Sequence, residues 1–258
     1  MFSRVLLTVA LLALPLAAVP GASESASATP DPGEGAVYNA TAIVEKRVIG
    51  HSVRGRPIMA WRVGNPASTR KAVIMSTMHG DEPHTRRILT SLRDGWPIRG
   101  IDMWLIPVMN PDGLARHTRK NAHGVDLNRN FPYGWRDLDG RYESGRRPAS
   151  EPETKAVISF LREIKPRWVV SFHQPLYGVD VDTKRPWFAR RLADQLNLPR
   201  TNLDCGGVCH GTMTSWYNHN FAGAAITVEY GPRPSLERMT VHAPRQLLRA
   251  LYAERYRP

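Results

Sequence analysis

Two cysteines in 258 residues exclude a disulfide-dense scaffold and a zinc knuckle built from cysteine alone. Acidic residues are also scarce, with 23 Asp and Glu against 35 Lys and Arg, a formal charge of +12. That excess alone admits a nucleic-acid binder, a binder of anionic surfaces or an enzyme with an anionic substrate. After Val19 there is no long apolar run, so no second membrane segment is expected. No internal repeat is visible. Apolar residues are not lacking: 42% of the chain, with seven Trp, argues against a disordered polymer. The length suits one large α/β domain or two small ones, with enough chain to bury a sizeable core.

The first residues bear on the compartment. Arg4 precedes an uncharged apolar run from Val5 to Val19, 15 residues long, where a bilayer span needs about 20. Ala26-Ser27-Ala28 then offers a small-residue cleavage site. Residues 1–28 are therefore expected to be a cleaved signal peptide, which makes the protein secreted or periplasmic. No Cys lies near the cleavage region, so a lipid anchor is not expected. Cleavage would remove one Arg and one Glu and leave the charge at +12. Residues 29–40 begin with the Pro/Gly-rich TPDPGEG and read as a flexible leader, and 41–258 as one catalytic domain.

Along that domain, Val44–Val48 and Ile58–Val63 read as strands joined by a turn near Ser52–Arg56. Ala72–Met78, Ile101–Val108, Trp168–Phe172 and Ala224–Val228 are apolar runs of buried-strand type. Helices are predicted over Glu82–Leu92, from Ser150 to about Ile164 with Ser150 and Glu153 as a capping box, over Pro186–Leu196, and across most of Ser235–Tyr256 with a break near Pro244. Asn110-Pro111-Asp112-Gly113 reads as a turn, and 114–149 as long functional loops. The alternation predicts a single α/β domain with a mixed sheet and helices on both faces. Three polar residues end buried strands, namely His79, His173 and Glu229. That edge of an open α/β sheet is where ligands bind.

The chemistry of those positions is coherent. His79-Gly-Asp-Glu82 places an imidazole and a carboxylate three residues apart after a strand, and His173 adds a third donor of a type zinc accepts. Taken alone, H-x-x-E is more often a chance surface pair. Three protein ligands and an open fourth position define a catalytic zinc. Glu229 is either a buried salt-bridge partner or a general base. The loop Thr118–Pro132 gathers Arg119, Asn128 and Arg129, where guanidinium groups can hold a carboxylate or stabilise an oxyanion; without the neighbouring ligands a solvated basic loop would be the better reading.

Taken together, H-x-x-E at His79, NPDG at Asn110, R-K-N-A-H-G-V-D-L-N-R-N-F-P from Arg119, S-F-H at His173 and the strand-terminal Glu229 resemble the zinc carboxypeptidase family over roughly Arg47 to Arg249. SEPET at Ser150 and the absence of a large activation domain resemble its short members that act on murein peptides. The resemblance implies a central mixed, twisted sheet of about eight strands and one zinc per chain held by His79, Glu82 and His173. It implies Glu229 as general base, Arg119 as oxyanion-stabilising group, and Asn128 with Arg129 as the clamp for the substrate's terminal carboxylate. In the murein enzymes the scissile bond is the amide between γ-D-glutamate and meso-diaminopimelate. Two positions depart from the family pattern. Gly207 stands where many relatives carry a mobile Tyr, for which His210 is a candidate substitute, and Gln174 follows His173 where an acidic residue is expected.

Thr212–Thr214 is expected to line the side-chain pocket, with Thr214 contacting substrate. Cys205 and Cys209 could form a short disulfide, bind a second metal with His210, or remain thiols; an exported protein favours the disulfide. His84 is the one competitor for the metal. The leading expectation is an exported zinc metallopeptidase acting on cell-wall peptides, with no nucleic-acid partner and no stable membrane insertion after cleavage. The alternatives are a metallocarboxypeptidase trimming protein C-termini, a small-molecule deacylase, and a non-catalytic binder of anionic wall polymers.

Overall fold

The computed structural model describes residues 41–203 and 205–257. The signal peptide and leader expected at 1–28 and 29–40 lie outside the described residues. In chain order the elements are β1 (Ile43–His51), β2 (Pro57–Gly64), β3 (Lys71–Ser76), α1 (Arg86–Asp94), β4 (Ile98–Arg99), β5 (Asp102–Ile106), α2 (Pro111–Arg116), α3 (Pro152–Ile164) and β6 (Trp168–His173). They continue with β7 (Gly178–Asp180), α4 (Pro186–Leu196), β8 (Arg200–Thr201), α5 (Met213–Asn220), β9 (Ala224–Glu229), α6 (Ala243–Ala250) and β10 (Glu254–Arg255).

Eight strands form one mixed sheet in the order β1-β2-β5-β3-β6-β9-β7-β8, while β4 and β10 pair separately. The central four, β5, β3, β6 and β9, are mutually parallel. β2 joins β5 antiparallel, and β7 joins β9 antiparallel. Alternate residues of each central strand enter two separate cores. Ala72, Ile74, Val170, Phe172, Ile226 and Val228 pack with α1, α4 and α6 on one face. Val73, Met75, Val169 and Ala225 pack with α3 and α5 on the other. Burial on both faces explains why these strands are continuous apolar runs rather than alternating ones. No helix among the described residues is long and apolar enough to cross a membrane.

Several local expectations are corrected. The helix expected from Glu82 starts only at Arg86. Pro83 has no amide hydrogen, and the Glu82 side chain faces His79 and His173 instead of its own backbone. The Asn110–Gly113 turn is the start of α2: the Asn110 side chain accepts from Gly113 N at 2.8 Å, and Pro111 occupies the first helical position. The Ser150–Glu153 capping box does not form. Glu151 precedes α3, Ser150 Oγ donates to Glu151, and Glu153 accepts from Val53 N and Asn121 Nδ2. A tertiary contact therefore replaces the local one. The C-terminal helix passes through a π-turn at Arg238–His242, accommodates Pro244 in the first turn of α6, and ends at Ala250, giving way to β10.

The turn after β3 is crowded. A Cβ on Gly80 would lie 1.9 Å from Gly113 C and 2.2 Å from Leu114 N, both backbone atoms at the start of α2. Only glycine lets the segment between His79 and Glu82 pass α2 this closely. Gly80→Ala is expected to cost about 1–3 kcal/mol through forced backbone displacement. A two-state denaturant titration checks this, and an unchanged midpoint would contradict the close approach.

Candidate active site

The carboxyl ends of β3, β6 and β9 lie side by side, with His173 and Glu229 in register. This strand edge and the loops above it enclose a cleft of about 600 Å³. His79, Glu82, Arg119, Asn128, Arg129, His173, Thr214 and Glu229, all expected from the sequence, line it together.

At its floor, His79, Glu82 and His173 are buried and offer ligand atoms within 4.8 Å of one another. His79 Nδ1 lies 2.6 Å from Glu82 Oε1, and His173 Nδ1 lies 2.9 Å from Glu82 Oε2. The outer nitrogens are held from behind: His79 Nε2 meets Asp126 Oδ1 at 3.0 Å, and His173 Nε2 meets Ser171 Oγ at 3.0 Å. A carboxylate only accepts, so Asp126 fixes the His79 proton on Nε2 and turns the Nδ1 lone pair toward Glu82 in the neutral ring. Lone pairs and carboxylate oxygens then converge on one point, which is stable only with positive charge among them. The same demand shows in the protonation equilibria. Burial pulls the His79 imidazole down, but Glu82 and Asp126 outweigh it and push it up to about 9. Burial raises Glu82, but the two imidazoles bring it down to about 2. Two nitrogens and a carboxylate, with both imidazoles oriented from outside, fit a zinc that keeps one open position. His84 does not join them, and its backbone N–H donates to Gln174 Oε1.

Asp126 also organises the cationic side. It accepts from Arg119 Nε at 2.9 Å and from Asn128 N at 2.9 Å. Arg119 Nη1 thereby reaches within 3.2 Å of His79 Nδ1, directly above the ligand group. Burial would raise the Asp126 carboxyl, yet His79 and Arg119 hold it well below the usual range. Asn128 Oδ1 accepts from Met213 N, tying the loop to α5. Arg129 is only 4% exposed, and its Nε has no hydrogen-bond partner. No carboxylate of the described residues lies within ion-pair distance of it. A buried guanidinium left this way suits the carboxylate of a ligand.

Glu229 is 8% exposed. Among the described residues no Lys or Arg pairs with it, so the salt-bridge reading is set aside. Its Oε2 accepts from Leu176 N at 3.2 Å, and burial pushes its carboxyl up. A carboxylate that is desolvated, weakly bonded and next to the ligand group is poised to take a proton.

The sequence did not single out Asp126, Ser171, Asp180 or Tyr142. The ring of Tyr142 lies 5.5 Å from the Arg119 guanidinium and 5.0 Å from that of Arg129, and Tyr142 lines the cleft. Asp180, half-buried, lines the cleft wall, and burial raises its carboxyl. Cys205 and Cys209 are disulfide-bonded, with Cα atoms 5.3 Å apart, and form another part of that wall. Pairing leaves neither sulfur as a thiol or a second-metal ligand. His210 is not among the described residues lining the cleft. Gln174 uses its Nε2 on Gly231 O and Pro232 O, bracing the turn after β9.

Comparison with known proteins agrees with this geometry. A family model described as zinc carboxypeptidase matches residues 38–175. Murein peptide amidase A of Escherichia coli is 34% identical over 204 residues, covering 73% of this chain and 82% of that protein. Its namesake from Vibrio campbellii is 33% identical over 197 residues, covering 71% and 78%. The crystal structure of murein-tripeptide amidase MpaA from Escherichia coli O157 superimposes with a TM-score of 0.66 at 29% identity, covering 83% of this chain and 92% of that one. A carboxypeptidase A from Helicoverpa armigera shares the fold, with a TM-score of 0.64 at 19% identity.

Because Asp126 supports both His79 and Arg119, Asp126→Asn is expected to weaken divalent-metal binding about tenfold to a hundredfold with the overall fold retained. Calorimetric titration with zinc, beside circular dichroism, checks it. Wild-type affinity would remove Asp126 from the support of the site.

Proposed function

The chain belongs to the zinc carboxypeptidase family and is a zinc-dependent hydrolase, and from that premise we propose that it cleaves murein peptides at the amide between γ-D-glutamate and meso-diaminopimelate. The single observation that carries this reading is the buried Arg129, which donates from Nη1 to Asn128 O but has no carboxylate partner among the described residues and lies in the same cleft as a zinc-type donor set. It calls for a substrate whose free carboxylate lies close to the bond that breaks. The likeness to murein peptide amidase A over 82% of that protein's length supports the choice of peptide.

His79, Glu82 and His173 would hold one zinc per chain. Zinc, when bound, supplies Lewis acidity in a site with one position open. Glu229 takes the proton of the attacking water as the new C–O bond forms, then delivers it to the leaving amine nitrogen as the C–N bond breaks. Its raised affinity for protons suits both halves of that transfer. Arg119, anchored by Asp126, donates toward the carbonyl oxygen as negative charge develops there. Asn128 and Arg129 hold the carboxylate of the leaving residue, and Thr214 lines the pocket for its side chain. Action outside the cytoplasm is part of the same proposal. It rests on Arg4, the apolar run to Val19, the Ala26–Ala28 motif and the Cys205–Cys209 disulfide.

Three outcomes are expected. Mass spectrometry of L-Ala-γ-D-Glu-meso-diaminopimelate after incubation shows release of diaminopimelate, while standard C-terminal dipeptides stay intact; the reverse pattern would make the protein a general C-terminal trimming enzyme. Glu229→Gln retains one zinc by metal analysis and loses about 10²–10⁴ in kcat; wild-type turnover in that variant would end the role given to Glu229. Arg129→Ala loses about 1.5–3 kcal/mol of interaction, or roughly tenfold to a hundredfold in kcat/KM by the 1.4 kcal/mol-per-decade conversion. A substrate amidated at the leaving residue's carboxylate should be insensitive to the Arg129 change.

A further inference from the structure

The sheet edge opposite the cleft carries a second grouping of side chains. β3, β6 and β9 all begin there, with Ala72 beside Trp168 and Trp168 beside Ala224. The six residues of β3 place this edge about 20 Å from the metal ligands at 3.3 Å per residue. Two adjoining grooves, of about 360 and 290 Å³, cross it and share Arg167, Trp168 and Trp187.

Their charge is one-sided. Lys71, Lys165, Arg167 and Arg185 line the first groove and Arg70 the second, with no acidic residue in either. None of the five forms an ion pair among the described residues. Some surface arginines elsewhere do, such as Arg47 with Glu45 and Glu163, Arg99 with Glu254, and Arg200 with Asp194; what sets this edge apart is five cations lining two adjoining grooves that hold no acid. Five cations gathered without counter-charge repel one another, and a bound polyanion offsets that repulsion.

The aromatic groups there are rigid. Trp187 is 47% exposed. Its ring meets Trp168 edge-on at 5.4 Å and Phe188 at 5.8 Å, while Trp168 stacks on Phe188 at 3.9 Å. Arg167 lies over the Trp168 ring at 5.2 Å. An exposed indole fixed by two buried rings offers an apolar, electron-rich face at no further cost in side-chain freedom. Such a face suits the C–H surface of a sugar ring. The surrounding cations suit acid groups carried on the same polymer. Single-stranded nucleic acid needs a succession of free stacking platforms; here Trp187 lines both grooves, while the second exposed ring, Tyr252, lines only one and is covered by the Arg191 guanidinium at 3.8 Å.

We propose that this edge is a second binding site, separate from the cleft, for a glycan strand bearing carboxylate or phosphate groups. It does not depend on the identity of the cleaved bond. The test uses the full chain, with binding followed by intrinsic tryptophan fluorescence and by co-sedimentation. The probes are polygalacturonate for carboxylate, phosphomannan for phosphate, uncharged dextran, and single-stranded DNA. The wild-type protein is expected to bind one of the two anionic glycans and not dextran. Lys165→Glu combined with Arg167→Glu should weaken binding at least tenfold, and Trp187→Ala at least fivefold. Trp187→Phe should restore most of it, which separates loss of the platform from loss of fold. Zinc-dependent hydrolysis of a small soluble peptide should stay at the wild-type rate in all three. Glycan binding unaffected by charge reversal overturns the proposal. Charge-dependent binding that ignores Trp187 also overturns it, because the surface then acts as a general polyanion attractor. Tighter binding of single-stranded DNA than of either glycan, lost in the same variants, would make the edge a nucleic-acid surface instead.

Discussion

The arrangement depends on a chain of four buried ionisable side chains, Asp126, His79, Glu82 and His173, with contacts of 3.0, 2.6 and 2.9 Å between neighbours. Two carboxylates and two imidazoles out of water carry a large desolvation penalty, and only close pairing with positive charge offsets it. A proton on His79 can supply that charge, as can a cation at the point where the Nδ1 atoms and Glu82 meet. The fold is shaped around this demand. Residues 79 and 82 come from the turn after β3, 126 from a loop and 173 from the last position of β6, and the parallel core strands bring them to one edge. Gly80 lets the first turn pass against α2, and the Asn110 cap fixes the start of α2. Asp126 then turns the same charge balance outward, because Arg119 is anchored on the oxygen that His79 leaves free.

Residues whose job shows in their own strand were legible in the sequence. His79, His173 and Glu229 each end an apolar run where a polar side chain has no structural reason to be, and the sheet edge gives them one. The six longest strands and the α4 boundaries followed from periodicity and punctuation in the same way. Residues that act through another residue were not legible. Asp126 sits in a loop crowded with Arg and Asn, and nothing local separates a carboxylate that orients a histidine from one that faces water. Ser171 lies inside an apolar strand and has the pattern of a core hydroxyl. Tyr142 reaches the cleft only because the loop around it folds back over Arg119 and Arg129.

Errors in element boundaries have one physical cause. Ser150 and Glu153 carry the right spacing for a capping box, yet Glu153 is wanted by Val53 and Asn121, one hundred residues away in the first case. Glu82 could have opened a helix, but its carboxylate is committed to two imidazoles. Local preference is worth about 1 kcal/mol per cap. An unpartnered buried carboxylate costs more than that, so the tertiary partner wins. Short strands such as β7 and β8 escaped notice because pairing makes them strands, β7 to β9 and β8 to β7, and not their composition.

The excess of positive charge divides into parts with different physics. Arg119 and Arg129 are held in the cleft, where burial and geometry make each specific to a developing or fixed negative charge. Arg47, Arg62, Arg99 and Arg200 are neutralised by nearby acids and contribute little beyond local order. The unpaired group around Trp187 is neither buried nor neutralised, and it lies at the other end of the strands that carry the metal ligands. A parallel sheet packed on both faces transmits that separation rigidly. A polymer held at one edge could deliver its pendant peptides to the other only if they reach about 20 Å, the span of a six-residue strand. Within that reach, retention on the polymer raises the local concentration of cleavable ends without any new contact in the cleft. Beyond it, the same grip would hold them away from the site. The strand length therefore sets which polymers the two edges can serve together.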